Sequence, residues 1–145
     1  MHIAFETALM ADKRMLKICM PYVDLFIVDM KLLNPDVCKE VLGGKVENFF
    51  DNLKILTEAN KEILFRIPCT KEYTLKPENI ERIKSCLKEH SHCDVEIFAV
   101  HSLARNKYES LAMPFTEYAE ISQEELEGIA QEFSKCGNKV SVNNL

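Results

Sequence analysis

Asp29 and Lys31 stand two residues apart where the apolar run Leu25-Phe26-Ile27-Val28 ends. On extended backbone such a pair points to one face. A carboxylate beside an ammonium suits a zwitterionic or hydroxyl-bearing ligand, since the carboxylate accepts from amine or hydroxyl and the ammonium pairs with a carboxylate. An ordinary ion pair closing a strand has the same signature. Three other apolar runs also end in polar residues, at Glu6-Thr7, at Arg66 and at His101. Polar groups gathered at the C-terminal ends of successive parallel strands are where barrel and open α/β enzymes place their chemistry.

Arg66 lies inside the apolar run Ile63-Leu64-Phe65-Arg66-Ile67-Pro68, where an unpartnered guanidinium is costly. It must face an acid, with Glu96 or Asp29 the candidates across a sheet, or a ligand. His101 follows Val95-Glu96-Ile97-Phe98-Ala99-Val100. Glu96 and His101 are five apart, so a regular strand sends them to opposite faces. Either a bulge intervenes or one of them is not in the site. His90, His92 and Cys93 have the residue types of a zinc site but no further ligand nearby in sequence. Gly43-Gly44 is read as a turn, because glycine is too scarce for a phosphate-cradling loop.

The elements that position these groups follow from periodicity. Strands are predicted at residues 2–5, 25–29, 63–67, 95–100 and 139–142. Their apolar runs, rich in β-branched and aromatic residues, suit parallel strands buried on both faces. Between them Val46, Phe49, Phe50, Leu53 and Leu56 recur at helical spacing. Asn34-Pro35 reads as an N-cap with proline at the first helical position, and Pro77 opens a helix carrying Ile80, Ile83 and Leu87. Ser122 and Glu125 form a capping box ahead of Leu126, Ile129, Ala130 and Phe133, with Gly137 as the stop. Residues 11–20 are helical and end at Pro21. Alternating strands and helices imply parallel strands with right-handed crossovers, as an α/β sheet or part of a barrel. Residues 102–121 form the longest stretch without clear periodicity, a length that in compact domains goes with function or mobility.

The bounds are consistent with this reading. The chain has 145 residues, a net charge of −5 and 47% hydrophobic residues. It is read as one domain with a sizeable core. The acidic balance and scattered Lys and Arg argue against nucleic acid as a partner. No apolar run approaches the ~20 residues of a membrane span. The six cysteines show no C-x-x-C and no signal peptide precedes them, so reduced structural thiols in a cytoplasmic protein are expected.

Taken in order, Asp29-x-Lys31, Arg66-Ile67-Pro68, Glu96 followed by His101, and Lys107-Tyr108-Glu109-Ser110-Leu111 form a co-linear set. With Pro21-Tyr22-Val23-Asp24 and the Ser122 helix, the set resembles the glycyl-radical-enzyme activating enzymes of the radical S-adenosylmethionine superfamily, the pyruvate formate-lyase activating enzyme type. The likeness runs from about residue 2 to residue 142.

The resemblance implies an α/β fold of alternating parallel β/α units, an incomplete TIM-like barrel with an open edge. It implies a 4Fe-4S cluster, held in that family by Cys-x3-Cys-x2-Cys, and S-adenosylmethionine as cofactors. It further implies a glycyl radical enzyme as protein substrate and an electron donor such as flavodoxin or ferredoxin. By position, Thr7, Asp29, Lys31, Arg66 and His101 would bind S-adenosylmethionine, and Glu6, Thr7 and Asp29 would form a candidate cation site. Departures from the family pattern are Glu6 for aspartate, Ala8-Leu9 for Asn-Gly, Cys69-Thr70-Lys71 for a Pro-Gly turn, and Ala112 for glycine. No cysteine triplet is present.

The chain is therefore read as a single domain over residues 1–145, the C-terminal part of such an activase. The cluster ligands are expected upstream of residue 1, and the chain alone is expected to be inactive. A first strand left as an edge is expected to support self-association. A stand-alone β/α lyase or hydrolase using Asp29, Lys31 and His101, or a non-catalytic α/β interaction domain, are the alternative readings.

Overall fold

The computed structural model describes residues 1–100 and 105–143. In chain order the elements are β1 (Ala4–Thr7), α1 (Lys13–Cys19), β2 (Leu25–Asp29), α2 (Pro35–Val37), α3 (Val46–Glu58), β3 (Glu62–Cys69), α4 (Pro77–Glu89), β4 (Asp94–Ala99), α5 (Arg105–Ser110), α6 (Gln123–Ser134) and β5 (Val140–Val142). A 3₁₀ turn at Met20–Tyr22 follows α1, and α2 runs on as a wider π turn over Cys38–Leu42. The five strands form one parallel sheet in the order β1-β2-β3-β4-β5.

Sequential order together with right-handed crossovers puts every connecting helix on the same face. The sheet is thus of the barrel kind, not a doubly wound sheet whose strand order reverses. Burial alternates accordingly. Phe26, Val28, Ile63, Phe65, Ile67, Val95 and Ile97 are buried beneath the helices, while Leu25, Ile27, Asp29, Leu64, Arg66, Glu96 and Phe98 on the other face stay partly open. The expectation of strands buried on both faces is corrected here. The inner face is the wall of an incomplete barrel, and no helix among the described residues covers it.

Three helices, α1, α2 and α6, start at a side-chain cap. Asp12 caps α1 by accepting from the backbone N–H of Arg14 at 2.8 Å. Asn34 accepts from the N–H groups of Asp36 and Val37, with Pro35 behind it. Both bonds of the Ser122–Glu125 capping box are made. Gly43 ends the π turn at φ 64°, a conformation glycine takes without steric cost. Val46, Phe49, Leu53 and Leu56 bury the inner stripe of α3, but Phe50 stays exposed and packs edge-on against Phe49.

β1 and β3 depart furthest from the periodicity reading, and β4 and β5 by one residue. β1 starts two residues later and runs through Glu6 and Thr7, because Glu6 finds a cationic partner within the sheet. β3 runs on through Pro68 and Cys69. The last backbone bond from β2 into this strand goes from Met30 N–H to Arg66 C=O at 2.8 Å, and Pro68, with no N–H to donate, ends the ladder there. The cores of Phe26, Phe49, Phe65 and Phe133 are fully buried, and each such side chain contributes about 1.5–3 kcal/mol. That buried layer, more than any ion pair, holds the wall rigid behind the polar face.

Candidate functional site on the inner face

The strand register brings the polar residues of four strands onto one face. Asp29 pairs with Arg66 across β2 and β3, and Arg66 with Glu96 across β3 and β4. Arg66 Nε donates to Glu96 Oε2 at 2.7 Å, and Arg66 Nη1 donates to Glu6 Oε2 at 2.9 Å. Asn143, just past β5, donates Nδ2 to Glu96 Oε1 at 3.0 Å. The result is a hydrogen-bonded chain from the first strand to the last. Burial alone works against the Arg66 charge, but its bonds to Glu96 and Glu6 outweigh this and hold its pKa above the usual arginine value.

Asp29 and Lys31 do share a face, and they pair directly, Nζ to Oδ2 at 2.7 Å. Of the two partners weighed for Arg66, Glu96 takes the role and Asp29 does not, since Lys31 already occupies it. Glu6 is a third acid that sequence spacing did not suggest for Arg66. Thr7 turns away from this network, and its Oγ1 accepts from Leu9 N–H at 3.0 Å, bracing the turn after β1. The carboxylates of Glu6 and Asp29 are therefore committed to different cations, and Thr7 to backbone. His101 lies outside the described residues.

Beyond Lys31 a cleft of about 220 Å³ opens over the strand ends, with Pro68, Thr70, Tyr73 and Tyr118 in its walls. The two tyrosine rings meet edge to face, 6.3 Å between centroids. The segment carrying Tyr118 is tied down by Ala119 N–H donating to the Glu72 carboxylate at 2.8 Å, which lowers the Glu72 pKa. Lys71 and Glu125 add an ion pair at 2.6 Å. A larger cleft of about 540 Å³ adjoins it, between Val37, Val41, Tyr73 and Pro77. Size does not choose between them. The smaller cleft is the one lined by Lys31.

Three residues in these surroundings carry weak signals in sequence. Asn143 follows a three-residue strand and has no periodic context. Asn52 and Asn79 sit on the apolar stripes of α3 and α4, and both are buried. A polar residue on such a stripe must spend its amide on backbone groups, which is the clue that could have marked them.

The cysteines do not fit a cluster. All six are free, five are buried, and only Cys19 is half-exposed. Burial pushes the Cys69 and Cys86 thiols up to about 12 and Cys93 to about 11. Cluster ligation needs converging thiolates. Among the described residues no group of three or more His, Cys, Asp or Glu is placed to hold a metal ion. His90 and His92 rings lie 6.3 Å apart at the entry to β4, and His90 packs against Phe65. No helix among the described residues is long and apolar enough to cross a membrane.

No family model matches the chain. Similar proteins are nevertheless found over most of its length. It is 28% identical over 115 residues to the indoleacetate decarboxylase activating enzyme of Tractidigestivibacter scatoligenes, covering 79% of this chain and 36% of that protein. It is 27% identical over 136 residues to the trans-4-hydroxy-L-proline dehydratase activating enzyme of Clostridioides difficile, covering 91% and 45%. A solved domain of a pyruvate formate-lyase-activating enzyme from Bacteroides vulgatus superposes with a TM-score of 0.75 at 18% identity, over 99% of this chain and 82% of that one. A radical SAM methyltransferase from Sphaerobacter thermophilus gives 0.72 at 12% identity, over 97% and 40%.

The sequential parallel sheet and its one-sided helices share the fold of both solved structures, a β/α partial barrel. In sequence the chain is a distant relative of glycyl-radical-enzyme activating enzymes. It spans less than half the length of the curated relatives named above.

Proposed function

We propose that this chain forms the part of an activating enzyme that holds the organic portion of S-adenosylmethionine. The observation that carries the reading is the charge balance of the inner face. Glu6, Asp29 and Glu96 set three carboxylates against the cations of Lys31 and Arg66, leaving one net negative charge beside an aromatic cleft. S-adenosylmethionine carries a sulfonium, an ammonium and a carboxylate, one net positive charge. Lys31 would pair with the methionyl carboxylate and Asp29 with the ammonium or a ribose hydroxyl. Arg66 would act beside them, joined by Thr7 once it leaves Leu9 N–H and by His101, which follows β4 in sequence. A planar base suits the cleft walled by Pro68, Tyr73 and Tyr118.

The iron–sulfur cluster would be held by cysteines other than these six, and residues 1–145 would be the C-terminal part of the barrel domain. When bound beside a reduced cluster, the cofactor supplies hydrogen-abstracting radical chemistry. The chain's own residues bind and orient it. The protein substrate would be a glycyl radical enzyme, with flavodoxin or ferredoxin as electron donor, in the cytoplasm. The names of the relatives support that partner class. A cation bridged by Glu6, Thr7 and Asp29 would require Glu6 to leave Arg66 and Asp29 to leave Lys31.

Saturation-transfer NMR on the chain tests the reading. S-adenosylmethionine should receive saturation at its adenine and ribose protons, and S-adenosylhomocysteine, which lacks the sulfonium charge, should receive less. The Asp29→Asn/Lys31→Ala variant should abolish transfer. Equal transfer to both ligands, or none to either, overturns it.

A further inference from the structure

β2 ends at Asp29, and its last bond to β3 is that from Met30 N–H to Arg66 C=O. The next residue of β3 that could reach across to β2 is Pro68, which has no N–H to give. Lys31 therefore lies past the end of the ladder that fixes Asp29. Strand geometry alone does not explain why its ammonium meets the Asp29 carboxylate.

A side chain takes over there. Asn79 on α4, 4% exposed, donates Nδ2 to the Lys31 carbonyl at 2.9 Å, and its Oδ1 accepts from Leu33 N–H at 2.8 Å. In a parallel ladder one residue engages the carbonyl of one neighbour residue and the N–H of the residue two further on. The Asn79 amide makes that pair of bonds, to residues 31 and 33. It thus makes a strand-like pair of bonds around Leu32, one residue out of step with the β2–β3 ladder that ends at Met30. Its second Nδ2 hydrogen goes to the Thr74 carbonyl at 3.0 Å, and Thr74 N–H donates to Thr70 Oγ1 at 3.1 Å. The end of β2 and the loop after β3, which walls the cleft, are tied through one amide.

The same device recurs one unit earlier. Asn52 on α3, 1% exposed, donates to the carbonyls of Leu9 and Ala11 at 2.9 and 2.8 Å, holding the turn after β1. In both cases the helix that follows strand n+1 grips the loop that follows strand n. Both grips are at the strand ends where the polar face lies.

We propose that Asn79 is a positioning residue for the ligand site. It fixes the Lys31 backbone so that the ammonium stands against Asp29 and faces the cleft. The inference rests on the reading that Lys31 contacts the ligand. Asparagine is specific to the task. Aspartate keeps the acceptor for Leu33 but loses both donors, glutamine is longer by a methylene, and leucine fills the space with no bonds.

The test pairs a ligand-free readout with a ligand titration, on wild type, Asn79→Asp and Asn79→Ala. The ligand-free readout is the Lys31 Cε resonance, assigned with Lys31→Arg, and circular dichroism establishes which variants are folded. In folded Asn79 variants the resonance should move to the position of a freely exposed lysine. S-adenosylmethionine affinity should drop about tenfold. In a Lys31→Ala background, Asn79→Asp should cost no further affinity, because the two act through one contact. If Asn79→Ala does not fold, Asn79→Asp carries the test. An unmoved Lys31 resonance in a folded variant overturns the inference, even if the denaturation midpoint falls. Absent S-adenosylmethionine binding in wild type overturns the proposed function instead, and the Lys31 resonance still decides the role of Asn79.

Discussion

Arg66 Nε lies 2.7 Å from Glu96 Oε2, between residues that face each other directly in the register of β3 and β4. Each side chain is about four-fifths buried, 23% and 19% exposed. Removing one partner therefore strands a charge that water reaches poorly. Arg66→Met should lower stability by about 2–3 kcal/mol, less than a fully buried pair would lose. The double variant Arg66→Met/Glu96→Gln should recover part of it. Urea denaturation of the single and double variants measures both numbers. A double variant no better than Arg66→Met would show that the pair is not coupled.

Two positions where the resembling family has glycine carry side chains on left-handed backbone here, Leu9 and Ala112, both at φ 53°. The conformation costs a non-glycine residue roughly 1–2 kcal/mol, and glycine gives back part of that through its freer unfolded chain. Ala112 is exposed, so Ala112→Gly should raise stability by up to about 1 kcal/mol. Leu9 is 2% exposed, and Leu9→Gly should lose about 2–3 kcal/mol because lost burial outweighs relieved strain. Opposite signs in chemical denaturation are the expected outcome.

Burial lowers the pKa of His90, with His92 adding to the effect and Glu89 opposing it. The unfolded chain therefore takes up the proton first as the pH falls through about 6.5. Stability from the neutral ring is complete above that value and is lost as the pH falls toward the lowered folded value. His90 Nδ1 has no partner, so His90→Leu forfeits no hydrogen bond at that atom. This variant should flatten the urea midpoint between pH 6.5 and the onset of carboxylate titration. An unchanged slope would assign it to other groups.

Thiol reactivity should divide the cysteines. Cys19 is half-exposed, whereas Cys69, Cys86 and Cys93 are buried and held protonated. One thiol should react quickly with an aromatic disulfide reagent in the native chain, and the rest only on unfolding. Iron–sulfur reconstitution should give no stoichiometric absorbance near ~400 nm. Cluster assembly on these cysteines would overturn the assignment of its ligands elsewhere.

β1 is an edge strand with Phe5 exposed on it, and Met15, Ile18 and Tyr22 are exposed on α1 and the turn after it. Such edges recruit other chains. Light scattering should find dimers or larger species as concentration rises, and Phe5→Lys should shift them toward monomer. A monomer throughout would count against the edge as a contact.

The sequence by itself determined the order of the strands and main helices and the places where several helices start or stop. Asn34-Pro35, the Ser122–Glu125 box and Gly137 act through hydrogen bonds and dihedral limits only a few residues long. For the same reason Asp29 and Lys31 could be placed on one face from a spacing of two. What only the tertiary structure decided was which partner each charge takes. Arg66 meets Glu6 across 60 positions of sequence and Glu96 across 30, and no local pattern encodes that choice. It follows from sheet register, as does the open inner face, because right-handed crossovers in sequential order leave that face without helices. Asn52 and Asn79 belong to the same category. Each looks like a polar lapse on an apolar stripe until the fold brings a backbone loop within reach of its amide.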